Sequence, residues 1–142
     1  MKKFIFIADF FLEDGLLGGG ELNNHELIKI LELKGHEIKK INSHLVNKSY
    51  VESNINSNFI IANFCTLNSQ CVELLQEKAR YIIYEHDHKY IKSRDPSIYE
   101  NYLAPEEQII NKIFYKNSLA VICQSKLQKN VIINNLHFDN IH

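Results

Sequence analysis

Apolar residues along the chain fall into two patterns: short unbroken runs, and stretches spaced by three and four. Phe4-Ile-Phe-Ile-Ala8 is an unbroken run, and with Lys3 it predicts a strand buried on both faces. Asn58-Phe-Ile-Ile-Ala-Asn-Phe64, Arg80-Tyr-Ile-Ile-Tyr84 and Leu119-Ala-Val-Ile-Cys123 read as further strands. Glu37-Ile-Lys-Lys-Ile41 is more polar and predicts a strand nearer an edge. Helical spacing lies between these runs. Glu21 to Lys34 reads as a helix with an acid in its first turn, a lysine in its last and Gly35 placed just beyond its end. Asn47 to Ser57 is polar and holds at most a short helix. Thr66 to Lys78 has Cys71, Val72, Leu74 and Leu75 on its apolar side. Pro105 suits a first helical position, with Glu106 and Glu107 behind it and Ile109, Ile110, Ile113 and Phe114 on the apolar face. Ser125-Lys-Leu-Gln128 is a capping box opening a last helix to about Leu136, and His137 to His142 begin a sixth strand. Residues 85–104 hold no clear element. So long a loop in a compact domain points to function.

This alternation predicts an α/β fold: a Rossmann-like, three-layer α/β/α domain over residues 1–142 with a mostly parallel sheet of five to six strands. A chain of 142 residues has room for one domain only. Its 16 basic and 17 acidic residues leave a formal charge of -1, so nothing electrostatic favours nucleic acid or an anionic membrane as a partner. The longest apolar run falls far short of the ~20 residues a membrane span needs, and the first residues lack the cleavage pattern of a secretory signal. Three cysteines make no disulfide framework. A cytoplasmic location and buried, inert thiols are the expectation.

In a parallel sheet, ligands bind outside the carboxyl ends of the strands. Those ends are Asp9 with the glycine loop, Asn42, Asn63 to Thr66, Glu85 to His88, and Gln124 with Ser125. Gly15-Leu-Leu-Gly-Gly-Gly20 leads from a strand into a helix, where backbone N–H groups and the positive end of the helix suit an anion. A plain helix-entry turn is the alternative. The loop fits neither the dinucleotide G-x-G-x-x-G pattern nor a Walker loop. Tyr84-Glu-His-Asp-His88 places five polar or amphipathic groups at the end of the fourth strand, with His86 the candidate substrate contact and His88 a bystander. No further ligand pair of recognisable spacing joins the two histidines, so no metal is expected. Lys89 to Ala104, with Lys92, Arg94, Asp95, Tyr99 and Tyr102, is either a flap over a polar ligand or a solvated loop.

Four phrases in order carry a family resemblance: Gly18-Gly-Gly-Glu-Leu-Asn-Asn24, Leu33-Lys-Gly-His36, Tyr81-Ile-Ile-Tyr-Glu-His-Asp87 and Ala120-Val-Ile-Cys-Gln-Ser125. Together they resemble the N-terminal, acceptor-side domain of a retaining GT-B glycosyltransferase of family four. The resemblance implies two Rossmann-like domains facing across a cleft, a nucleotide-sugar co-substrate with no other cofactor or metal, and a saccharide or glycan-precursor acceptor. His86 would be the catalytic residue beside the transferred sugar. Gly18, Gly19, Gly20, Glu21, Asn23, Asp87 and Ser125 would be the donor-phosphate or substrate contacts. The family's second domain, with its E-x-x-x-x-x-x-E motif, has no counterpart in these residues. The chain alone is therefore expected not to transfer sugar, whether as a fragment or as half of a split enzyme. An exposed apolar edge, covered by self-association, is expected to follow. Two alternatives stand beside this reading: a non-enzymatic Rossmann-like binding or assembly module, and a metal-dependent hydrolase built on His86, Asp87 and His88.

Overall fold

The computed structural model describes residues 1–142. Five strands, β1 (Lys3–Ala8), β2 (Glu37–Asn42), β3 (Asn58–Ile61), β4 (Arg80–Tyr84) and β5 (Val121–Ile122), pair in parallel in the order β2-β1-β3-β4-β5. Helices α1 (Gly19–Leu33), α2 (Lys48–Ser53), α3 (Ser69–Lys78), α4 (Lys112–Asn117) and α5 (Lys126–Leu136) connect and follow them. The chain is thus the α/β, Rossmann-like three-layer domain that the alternation predicts. The strand order reverses direction between β1 and β3, so the switch point lies outside Ala8 and Ile61.

Alternation along each strand divides the core in two, because successive side chains point to opposite faces. Phe6, Ala8, Ile60 and Ala62 meet Ile28 of α1 on one face. Ile5, Ile7, Phe59, Ile61, Tyr81 and Ile83 meet α2, α3, α4 and α5 on the other, through Val51, Leu75, Phe114 and Ile132. Right-handed crossovers require this arrangement. The single step back from β1 to β2 puts α1 on one side, and the steps forward put the later helices on the other. The charged β2 lies at an edge, as its sequence predicts.

The last segment adds a sixth pairing. Ile141 forms a parallel bridge to Val121, with His142 N–H donating to the Val121 carbonyl at 2.8 Å. The helix read from Pro105 is not formed as such. Glu106–Gln108 makes only a 3₁₀ turn, and the helix proper starts at Lys112. Ile109 is instead bridged antiparallel to Ile91, and Asn111 takes a left-handed φ of 55°, which ends any helix running through it. That antiparallel bridge pins a loop otherwise built of 3₁₀ turns at Pro96–Ile98 and Glu100–Tyr102. The thiols also depart from expectation. Cys71 is buried, but Cys65 is exposed and Cys123 only half-buried. No helix is long and apolar enough to cross a membrane.

Candidate functional site

The carboxyl ends of β1, β3, β4 and β5 form one rim, and its polar groups are organised by three nodes. Asp9, one residue past β1, sits at the switch point and is nearly buried. Its carboxylate accepts from Cys65 N–H at 3.0 Å, Thr66 N–H at 3.1 Å, Thr66 Oγ1 at 3.0 Å and Ser43 Oγ. Burial opposes its charge, but the Ser43 and Thr66 hydroxyls and the two backbone N–H groups outweigh it and hold its pKa below the ordinary aspartate value. Asp9 therefore knits the turns after β1, β2 and β3 together, with its oxygens turned inward.

The second node joins the glycine loop to His86. α1 begins at Gly19 with Gly18 as its N-cap. A Cβ on Gly20 would lie 3.6 Å from the His86 ring and 3.5 Å from the Asn63 amide nitrogen. Helix start and imidazole are thus close neighbours, and a larger side chain at Gly20 would crowd them. His86 Nε2 lies 2.7 Å from Asn24 Oδ1 on α1, and its ring meets Tyr84 edge-on at 4.7 Å. Burial, helped by the Lys89 charge, lowers the His86 pKa to about 4, against the pull of Asp87 and Glu21. The imidazole is neutral at physiological pH. With Nε2 donating to Asn24, its Nδ1 remains as an acceptor. Space over Gly19 is open, whereas a Cβ at Gly18 would collide with Glu21 Oε2. The Glu21 carboxylate lies back over the positive end of α1, where an incoming anion would have to displace it.

Asn23 reaches across to the turn between β5 and α5, its amide donating to Gln124 Oε1 at 3.3 Å, and Gln124 in turn donates to the Glu85 carbonyl at 3.1 Å. Ser125 caps α5, its Oγ accepting from Gln128 N–H at 3.1 Å. His86, His88, Gln124 and Ser125 line one cavity of about 320 Å³, with Tyr102 from the long loop beside them. His88 hydrogen-bonds Tyr90 Oη at 2.7 Å through Nδ1. It is therefore brought to the site alongside His86.

The third node is a buried ion cluster. Lys89 Nζ, its side chain 2% exposed, donates at 2.5 Å to Glu85 Oε1, at 2.5 Å to Asp87 Oδ1 and at 3.3 Å to Asn63 Oδ1. Tyr115 Oη donates to the other Glu85 oxygen. Burial pushes the Glu85 carboxyl up, with Lys89 and Tyr115 pulling back. Burial also works against the Lys89 ammonium, but Glu85 and Asp87 raise it above its ordinary value. Asp87 thus faces Lys89, with Arg94 Nη1 3.5 Å from its other oxygen, and not the cavity of His86. Burial raises the Cys65 thiol, aided by Asp9, and lifts Cys123 to about 11, so neither is an activated nucleophile.

The structure gathers Gly20, His86, Asn23 and Ser125 along the rim and sets Asp87 apart in the ion cluster. It adds contacts from Asn24, which closes the glycine phrase, from Asn63 just past the end of β3, and from Lys89, none of which the sequence marks as a site residue. Asn24 and His86 are 62 positions apart, so only the parallel order of β1 and β4 brings them together. No protein-family model matches the chain, and neither does any curated protein.

Proposed function

We propose that the chain is the acceptor-side domain of a glycosyltransferase, binding a nucleotide-sugar and a saccharide or glycan-precursor acceptor. One observation carries this reading: the bare backbone of Gly20 lies against His86, so a helix N-terminus and a neutral imidazole share one rim beside a polar cavity. Helix N-terminal N–H groups suit a diphosphate once Glu21 swings aside. Neutral His86, Gln124 and Ser125 suit sugar hydroxyls, which both donate and accept. An imidazole with a pKa of about 4 is a weak base, so His86 acts here by orienting substrate, and the leaving phosphate needs electrostatic stabilisation from outside these residues.

Isothermal titration with uridine- and guanosine-diphosphate sugars tests the reading on wild type, His86→Ala and Gly19→Val. Gly19 has no neighbour within 4 Å of a Cβ, so valine there fills only space that the ligand would use. Both variants are expected to bind about tenfold more weakly or worse. Equal binding by all three removes the site. A second reading, a binding or assembly module that does no chemistry, is favoured by the Glu21 carboxylate lying over Gly18 where a phosphate would go. It gains if no nucleotide-sugar binds the wild type.

A further inference from the structure

A larger cavity of about 520 Å³ opens on the other side of the long loop and shares no lining residue with the cavity of His86 and Ser125. Its volume is that of a small-molecule site. Phe64, Leu67, Val72 and Ile110 supply apolar wall, and Lys92 and Arg94 supply charge. The ammonium of Lys89 also borders the cavity, but its hydrogens go to Glu85, Asp87 and Asn63. Lys92 has no carboxylate within ion-pair distance, and Arg94 gives only one of its nitrogens to Cys65 Sγ at 3.1 Å and Asp87 at 3.5 Å. The rest of the guanidinium fork is unused.

The backbone of these two residues is held in place. Lys92 N–H donates to the Gln108 carbonyl at 3.0 Å beside the Ile91–Ile109 bridge. Arg94 is left-handed, φ 57°, and its N–H closes a turn on the Ile91 carbonyl at 3.0 Å. Asn111, also on the wall, is left-handed too and ties the loop by donating to the Lys89 carbonyl at 2.8 Å. Arg94 is neither glycine nor asparagine, so the fold holds strained backbone there, whereas Asn111 is a residue type that tolerates this conformation. One acid, Glu73 of α3, also lines the cavity.

We propose that this cavity binds a small amphipathic acid: an oxyanion, phosphomonoester or carboxylate, on an apolar ring or short chain. The oxyanion lies between Lys92 and Arg94, and the apolar body lies on Phe64, Leu67, Val72 and Ile110. Glu73 repels the anion and weakens the affinity that the two cations provide.

The test is a titration of the ¹⁵N-labelled full chain with phenyl phosphate, benzoate and, as the uncharged control, benzyl alcohol, followed by amide chemical shifts. Saturable shifts at Cys65, Lys92, Arg94 and Asn111 are expected with at least one acid, whose relative strength identifies the preferred oxyanion. Benzyl alcohol should bind about tenfold more weakly or worse. Lys92→Gln with Arg94→Asn, the latter chosen because asparagine tolerates the left-handed backbone, should weaken the acid about tenfold or more. Glu73→Gln should tighten it. Raising salt from about 0.05 to 0.5 M should weaken it, a readout that needs no variant. The proposal is overturned if neither acid saturates, if benzyl alcohol binds as well, if the shifts map to His86 and Ser125, or if affinity ignores both salt and the Glu73 charge.

Discussion

His86 is a histidine that the fold keeps uncharged. An unfolded imidazole takes up its proton near pH 6.5, and folded His86 does so only at about 4. Between those values the unfolded chain binds more protons, so the histidine's effect on stability is absent above about pH 6.5 and turns unfavourable as pH falls toward 4. The full shift corresponds to about 3 kcal/mol; solvent screening at a part-exposed ring reduces it to about 1 kcal/mol. Urea unfolding of wild type and His86→Gln at about pH 7 and about pH 4.5 isolates this effect, since every other titrating group is shared. Wild type should lose about 1 kcal/mol more than the variant on acidification. An equal loss would mean that the ring is not buried in neutral form against Asn24. Asp9 behaves oppositely in kind: its depressed pKa makes it a stabilising anion throughout this window, and its contribution is lost only at lower pH.

At the scale of elements, the Glu85–Lys89–Asp87 cluster couples the end of β4 to α4 through Tyr115 and to the turn after β3 through Asn63. Removing one member of such a cluster leaves a buried charge without a partner, which costs about 3–5 kcal/mol. Lys89→Met should therefore be among the most destabilising substitutions in the domain. Lys89→Met with Glu85→Leu should be more stable than Lys89→Met alone, because the orphaned carboxylate goes as well. Denaturant midpoints for the two variants decide this, and a double variant no better than the single would show that Glu85 is not the charge at issue. Elements formed by such distant partners are the ones the sequence hides. Four of the five strands could be read from unbroken apolar runs because both of their faces are buried, as in β1 and β3, or at least partly covered, as in β4 and β5, which removes the polar alternation. Ser125 could be read as a cap because its partner, Gln128, is three residues away. The Pro105 helix misleads because Ile109 finds its partner at Ile91, 18 positions back, and because Asn111 adopts a conformation that apolar periodicity does not register. Likewise His86 could be placed at a strand's carboxyl end from its run of neighbours, whereas Asn24, which orients it, could not.

For the molecule as a whole, the parallel sheet is the frame, and the segment from Glu85 to Asn111 contributes residues to both candidate sites. Pro96 and Tyr102 border the cavity of His86, while Lys92 and Arg94 border the larger one. The frame is held by ladder bonds among β1, β3 and β4; β1 and β3 bury side chains on both faces, and β4 buries Tyr81 and Ile83 on one. The segment from Pro96 to Leu103 has only turn-closing bonds of its own, and Asn101 and Tyr102 are left-handed. Asn135 of α5 fastens its end. The side chain accepts from Ala104 N–H at 2.9 Å and donates to the Tyr102 carbonyl at 2.8 Å, while itself nearly buried. Asn135→Ala should therefore cost about 1–3 kcal/mol, since Ala104 N–H and the Tyr102 carbonyl lose their partner. Its effect on motion should be local. Amides at Tyr102, Leu103 and Ala104 should exchange with deuterium much faster, while Ile5, Ile7, Phe59 and Ile61 change only with the global stability. Hydrogen-exchange mass spectrometry at peptide resolution measures both. Unchanged exchange between Tyr99 and Ala104 would show that the loop is held by something other than α5.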